Sequence, residues 1–347
     1  MMISFYNDYN ELCHPRILED LSKFQGEKNI GYSNDQHVLN AVDFIKKEIG
    51  RDDIDVHFIH GGTMVNILSL KTMLQVYEGI ISCDTGHIIG HENGAIEAIG
   101  HQVVQIPHKK GKVTVEELEK ALAKNSKEYS VKLKVVYLSN ATELGTVYTK
   151  EELEKIYNFC KLHDLYIYMD GARLGSALAS SKNDMSLSDI AKYCDVFTIG
   201  GTKNGMLLGE AMIITNPEFS KGIRRTIKQR GAMMAKGYMM GIQFETMFKD
   251  GLYLQLADHA IKMAEYLAGK LENLKVSMYE PQESNLVFPL INKNIVHKMT
   301  ENFMFDLMDE MGDKRLIRLV TRWSTTKEEI DSLINFIEGE IEKGEIA

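Results

Sequence analysis

Between about residues 35 and 215 the chain repeats one pattern: a strand-length run apolar on both faces, then a segment with helical spacing. The strand-like runs are Val56–Ile59, Ile80–Cys83, Val103–Ile106, Leu133–Leu138, Leu165–Met169, Val196–Ile199 and Ala211–Ile214. A strand with no polar face must be covered on both sides, and helices between successive strands supply that cover. The intervening segments read as such helices. Val38, Val42, Ile45 and Ile49 recur at helical spacing before a stop at Gly50, and Thr114 with Glu117 and Thr149 with Glu152 have the form of capping boxes. The pattern predicts an α/β unit built on a mainly parallel seven-stranded sheet with flanking helices.

After Asn216 the pattern turns helical through about Leu274. Short strands (Lys275–Tyr279, Leu286–Leu290, Ile317–Val320) then mix with helices, the last capped by Thr325 with Glu328. This predicts three parts: an N-terminal arm over 1–20, a large α/β domain over 21–249, and a smaller C-terminal α+β domain over 250–347. Net charge is −9, which argues against a nucleic-acid partner, and the cluster Lys109, Lys110, Lys112 beside a glycine reads as a solvated turn. No apolar run approaches the roughly 20 residues of a membrane span. The opening MMISFYNDYN lacks the basic and apolar stretches of a signal peptide, so a cytoplasmic protein is expected. Cys13, Cys83, Cys160 and Cys194 form no CxxC pair and suit reduced, buried thiols rather than disulfides or zinc.

Three strand ends carry residues with chemistry. Gly61-Gly62-Thr63 follows the run VHFI and opens an amphipathic segment. Glycines there let main-chain amides approach an anion at a helix N-terminus, although alone this would be an ordinary tight turn. Asp170-Gly171-Ala172-Arg173 follows LYIYM. Asp-Gly between apolar runs is a hairpin signal, but ARLGSALA reads better as loop and helix. An aspartate at the carboxyl end of a parallel strand lies where open α/β sheets bind ligands, and it can pair with a protonated ring nitrogen. Lys203 lies in Gly200-Gly201-Thr202-Lys203-Asn204-Gly205 after VFTI, hemmed by glycines. Burial there lowers a lysine's pKa and favours the nucleophilic amine that forms Schiff bases. Neither GxGxxG nor a P-loop is present, and HIIGHE lacks the HExxH order, so no metal is expected.

The order of phosphate turn, aspartate and lysine resembles the fold type I (aminotransferase-like) pyridoxal-phosphate (PLP) enzymes, and among them the threonine aldolase and β-eliminating lyase family. The segments carrying the resemblance are Asn7-Asp8-Tyr9 with His14-Pro15, GYSND with Tyr32 and Asp35, HGGTMVN, CDTGHIIGHENGA, YMDGARL, GGTKNG, KQRGAMMAKG and IRLVTRW. The resemblance implies that Lys203 bonds the cofactor aldehyde, that Asp170 pairs with the pyridine nitrogen, and that His87 stacks on the ring and is the candidate base. It implies that Gly61, Gly62, Thr63 and Thr202 hold the phosphate and that Arg173 lies near the cofactor. Arg173, Arg318 and Asn7 are then expected at the substrate carboxylate. Many members of that family carry a histidine where this chain has Thr142, which can hydrogen-bond a substrate hydroxyl but cannot serve as a base at neutral pH. Arg322 is a second departure, expected either at the site or on the surface. The implied activity is cleavage of threonine or allo-threonine to glycine and acetaldehyde, with β-elimination or transamination as alternatives. A homodimer or homotetramer is implied too, with Arg230 and Lys236 reaching a neighbouring subunit's phosphate.

Overall fold

The computed structural model describes residues 2–346. A two-residue strand β1 (Ile3–Ser4) precedes the strands β2 (Asp55–Ile59), β3 (Glu78–Cys83), β4 (Val103–Ile106), β5 (Lys132–Ser139), β6 (Tyr166–Asp170), β7 (Val196–Gly200) and β8 (Glu210–Ile214). The last seven form one sheet in the order β2-β8-β7-β6-β5-β3-β4. Only β8 runs against its neighbours β2 and β7. The loop 201–209 explains this, being too short for the crossover of a dozen or more residues that a parallel return needs. Each of the seven apolar runs became one strand, and every residue of β3, β7 and β8 is buried.

The helices obey their end signals. Helix α1 spans Pro15–Lys23 and α2 spans Gln36–Ile49, the latter capped by Asp35 at its start and by left-handed Gly50 at its end. Helix α3 (Gly62–Met73) begins directly after β2. Thr149 and Glu152 form the full capping box, as do Ser186 and Asp189, while Thr114 makes only the forward bond to Glu117. The segment after Asp170-Gly171 is indeed a helix, Leu174–Ala179, and not a returning strand. Gly171 is required by contact: a Cβ there would lie 1.9 Å from the carbonyl oxygen of Thr198.

The C-terminal part carries a second sheet of β9 (Ser277–Met278), β10 (Leu286–Val287), β11 (Pro289–Asn292), β13 (Asp306–Met311) and β14 (Lys314–Val320); β12 (Phe303–Met304) pairs instead with β1. The exposed, acid-rich edge strand β13 had no apolar signature by which to be anticipated. The final helix begins at Lys327, and its cap is Thr326 with Glu329, one residue beyond the expected pair. Thr325 instead accepts the Arg322 amide. No linker divides the two cores. The helix Leu252–Asn273 places Leu252, Tyr253 and Leu256 in the large core and Met263, Leu267 and Leu271 in the small one.

The N-terminal arm is bound into the small core. Phe5 is fully buried there, and its carbonyl accepts the Val320 amide at 2.8 Å. Arg322, expected at the site or on the surface, is at neither: it is buried and donates to Glu11 at 3.1 Å and to the Ser4 carbonyl at 2.5 Å, with Glu329 at 3.5 Å. Removing one partner of a buried ion pair costs roughly 3–5 kcal/mol, and less where the acids keep contact with water, as Glu11 and Glu329 do. Arg322→Met is therefore expected to lower the unfolding free energy by about 2 kcal/mol in urea titrations. An unchanged midpoint would mean that Phe5 alone anchors the arm.

Candidate active site

The carboxyl ends of β2, β5, β6 and β7 and the start of β8 converge on one cavity of about 350 Å³. Register brings them together: Ser139 lies opposite Asp170, Gly200 opposite Glu210, and Ile59 opposite Glu210 on the other side. The cavity is lined by Gly61, Gly62, Thr63, His87, Asp170, Arg173, Thr202 and Lys203 among the expected residues. It is also lined by Tyr9, His60, Asn66, Ser139, Ala141, Glu143 and Glu210.

Asp170 is buried but not orphaned. Its Oδ1 accepts the Ala172 amide at 2.9 Å, and its Oδ2 accepts from Tyr137 Oη at 2.7 Å and Asn66 Nδ2 at 3.0 Å. The same Asn66 amide donates to Glu92 Oε1 at 2.6 Å, while Asn66 Oδ1 accepts from Tyr168 Oη at 2.6 Å. Glu92 Oε1 in turn meets His87 Nδ1 at 2.7 Å. One side-chain amide thus ties the aspartate at the end of β6 to the histidine over the cavity. Asn66 lies within HGGTMVN and Glu92 within GHENGA, and the resemblance implies a role for neither.

Lys203 sits in a short 3-10 turn after β7, between Thr202 and Asn204. Burial pulls its ammonium below the ordinary lysine value, and Arg173 adds to the effect against the pull of Asp8, Asp170 and Glu210. Burial also pushes Glu210 up to about 7, although it accepts the Gly201 amide at 3.0 Å. Thr202 Oγ1 accepts the Gly209 amide at 3.1 Å.

Arg173 donates through Nε and Nη2 to both oxygens of Asp8, at 2.7 and 3.1 Å, and Asn285 adds a third donor to Asp8 at 3.0 Å. Burial alone would raise the Asp8 carboxyl, but Arg173 and Lys203 outweigh it and hold it below its usual range. Glu143 Oε1 accepts from Ser139 Oγ at 2.7 Å and from the His87 amide at 2.9 Å. Its Oε2 is buried with no hydrogen-bond partner, and burial raises its pKa.

Other expected residues lie elsewhere. Thr142 is buried with its hydroxyl 2.7 Å from that of Thr146, so it does not line the cavity and has no hydroxyl to offer there. The residue that faces the cavity is its neighbour Glu143. Asn7 uses its side chain to accept the Tyr9 amide at 3.1 Å; Tyr9 lines the cavity in its place. Arg318 lies outside the lining, with Nη2 paired to Asp306 at 2.9 Å and Nε buried without a partner. Arg230 and Lys236 are exposed and away from the cavity of their own chain. Tyr32 is exposed, and Asp35 is a helix cap rather than a site residue.

Comparison with known proteins identifies the family. The family model described as beta-eliminating lyase matches residues 20–294. A low specificity L-threonine aldolase from Pseudomonas aeruginosa is 28% identical over 332 residues, covering 94% of each chain. A protein of the same name from a Pseudomonas species is 30% identical over 81% of this chain and 82% of its own. The solved structure of Leishmania major threonine aldolase superposes with a TM-score of 0.96 at 42% identity, over 97% of this chain and 99% of that one. The chain therefore belongs to the β-eliminating lyase and threonine aldolase family, whose members share the fold type I scaffold and depend on pyridoxal phosphate.

Proposed function

We propose that this protein is a PLP-dependent aldolase that cleaves β-hydroxy-α-amino acids, L-threonine and L-allo-threonine first among them, to glycine and an aldehyde. The observation that carries this reading is the convergence of a glycine turn at a helix N-terminus, a buried aspartate held by side-chain donors and a lysine of lowered pKa on one cavity. The names of the relatives support it.

The residues present fit the cofactor. A Cβ on Gly61 or Gly62 would meet nothing within 4 Å, so the main chain of this turn stands open where it lines the cavity. The 12-residue helix α3 directs its N-terminal amides and partial positive charge to the same place, suiting a phosphate. Thr63 and Thr202 stand beside it. Asp170 would meet the pyridine nitrogen through a charge-assisted bond worth roughly 1.5–3 kcal/mol. Lys203 would bond the cofactor aldehyde, its lowered pKa leaving more of the amine neutral and nucleophilic. His87 would lie against the ring, its orientation set by Glu92. Bound there, pyridoxal phosphate supplies an electron sink for breaking a bond at the substrate Cα.

Asp8 occupies the Nε–Nη2 edge of Arg173, which leaves the Nη1–Nη2 edge for a substrate carboxylate. Arg318, behind it, adds positive charge and an unpartnered Nε. Asn7, by shaping the turn that presents Tyr9, would act on substrate indirectly. The four cysteines are free and buried, which suits a reducing compartment such as the cytoplasm.

A homodimer or homotetramer is part of the proposal. The segment carrying Arg230 and Lys236 packs on the loop before α2, where Tyr32 N donates to Ala235 O at 3.0 Å. That loop and helix expose Ile30, Tyr32 and Leu39 together. Burying this face on a second subunit would present the two basic residues to that subunit's cavity. Sedimentation is expected to give a dimer or larger; a fully active monomer would refute it.

The PLP-loaded protein is expected to release equimolar acetaldehyde and glycine from L-threonine or L-allo-threonine, and Lys203→Ala to abolish release. Wild-type-like cleavage by that variant would sink the assignment. Pyruvate and ammonia from serine, with no glycine from threonine, would move the reaction to β-elimination. His87→Phe is expected to retain cofactor while cleaving at least tenfold more slowly, measured as kcat; unchanged kinetics would remove His87 from the reaction.

A further inference from the structure

Cleavage of a β-hydroxy amino acid needs a group that accepts the hydroxyl proton, and the cavity singles one out; this inference rests on the aldolase reading above. Among the carboxyls around the cavity, most oxygens are engaged. Asp170 has both oxygens bonded. Glu92 holds His87 and Asn66 from behind and does not line the cavity. Glu210 faces the cavity on the Lys203 side and takes the Gly201 amide. Glu92 and Glu143 each keep a buried, unpartnered Oε2 among the described residues, and of the two only Glu143 lines the cavity. Both of its donors fall on Oε1.

A buried polar atom left unpaired is costly, so on a side chain that lines a binding cavity it points to a ligand that supplies the missing bond. The side chain is also fixed for the purpose. Ser139, at the end of β5, and the His87 amide, at the start of the turn His87–Gly90, hold Oε1 from two elements. Thr142, the preceding residue, has its hydroxyl committed to Thr146 and cannot compete. The Nδ1 of His87 is committed to Glu92.

We propose that Glu143 receives the β-hydroxyl of the substrate and takes its proton as the Cα–Cβ bond breaks. The O–H electron pair becomes the second C–O bond of the aldehyde. The Cα–Cβ pair remains with the glycine carbon, which takes a proton from solvent, while Glu143 returns its own to water; no other reactant is consumed. Burial, with Asp170 nearby, lifts Glu143 above the ordinary glutamate value against the bonds from Ser139 and His87. That makes it a better acceptor than an exposed carboxylate. The titratable and charged groups facing it are Cys83, His87, Tyr137, Tyr148, Asp170 and Arg173.

The test compares wild type, Glu143→Gln and Glu143→Asp, each loaded with cofactor. Three readouts are taken: the absorbance of bound cofactor, deuterium exchange at the α-carbon of glycine by NMR, and acetaldehyde release from L-threonine. The glutamine variant is expected to keep the first two within about threefold while kcat for cleavage falls at least 100-fold, the scale of general-base loss. Glu143→Asp is expected to recover part of the rate, and the acid limb of the wild-type kcat/KM profile is expected to disappear in Glu143→Gln. Cleavage within tenfold of wild type by the glutamine variant overturns the proposal. So does parallel loss of glycine exchange, which would make Glu143 a prop for the His87 turn. Absence of acetaldehyde from wild type itself overturns the aldolase reading instead, and with it any role for Glu143 in that reaction.

Discussion

Burying a carboxyl at the end of a sheet strand costs several kcal/mol unless donors reach it, and the cavity is organised around meeting that demand at Asp170. Its donors come from three places: Ala172 in its own loop, Tyr137 on the neighbouring strand β5, and Asn66 on helix α3. Asn66 then needs its own position fixed. Tyr168 and Glu92 supply that, and through Glu92 the network reaches His87. Moving any one of these groups would leave a buried donor or acceptor unpaired, so helix α3, strands β5 and β6 and the His87 turn are fixed relative to one another. The glycine turn at the head of α3 is positioned by the same restraint, because Asn66 lies one turn into that helix.

The small C-terminal core joins this arrangement through charge rather than through the sheet. Asp8 sits on an arm pinned by Phe5 and Arg322, and it accepts from Arg173 on one side and Asn285 on the other. Arg173 follows Asp170 in the same loop. The geometry of the cavity therefore depends on the small core being docked, and the N-terminal arm joins the helix Leu252–Asn273 in docking it.

What the sequence made legible follows from where each signal originates. The seven strands were readable because a strand buried on both faces writes a continuous apolar run, and α2 was readable from Asp35 to Gly50 because caps are local. Lys203, Asp170 and the Gly61-Gly62 turn could be expected at one cavity because an open α/β sheet gathers its strand ends there. The edge strand β13, DLMDEM, carries three acids and no continuous apolar run, so it reads as a loop. Thr142 and Glu143 lie in a loop with no period, so nothing local distinguishes the residue that faces inward from the one that faces the cavity. Arg322 was misplaced because its partners Ser4 and Glu11 are more than 300 positions away and no local pattern names them.

Donor count and the nearest cation also separate three buried carboxyls in and around the cavity, Asp8, Glu143 and Glu210. Asp8 receives three donor contacts, two from a guanidinium, and is held below its usual range although it is the most buried of the group. Glu143 receives two, both on one oxygen, and is raised; Glu210 takes the Gly201 amide and rises to about 7. Desolvation acts on all three, so it is hydrogen bonding and the nearest cation that separate them. Carboxyls pushed apart in this way are the means by which one site holds fixed negative charge and proton acceptors together at neutral pH.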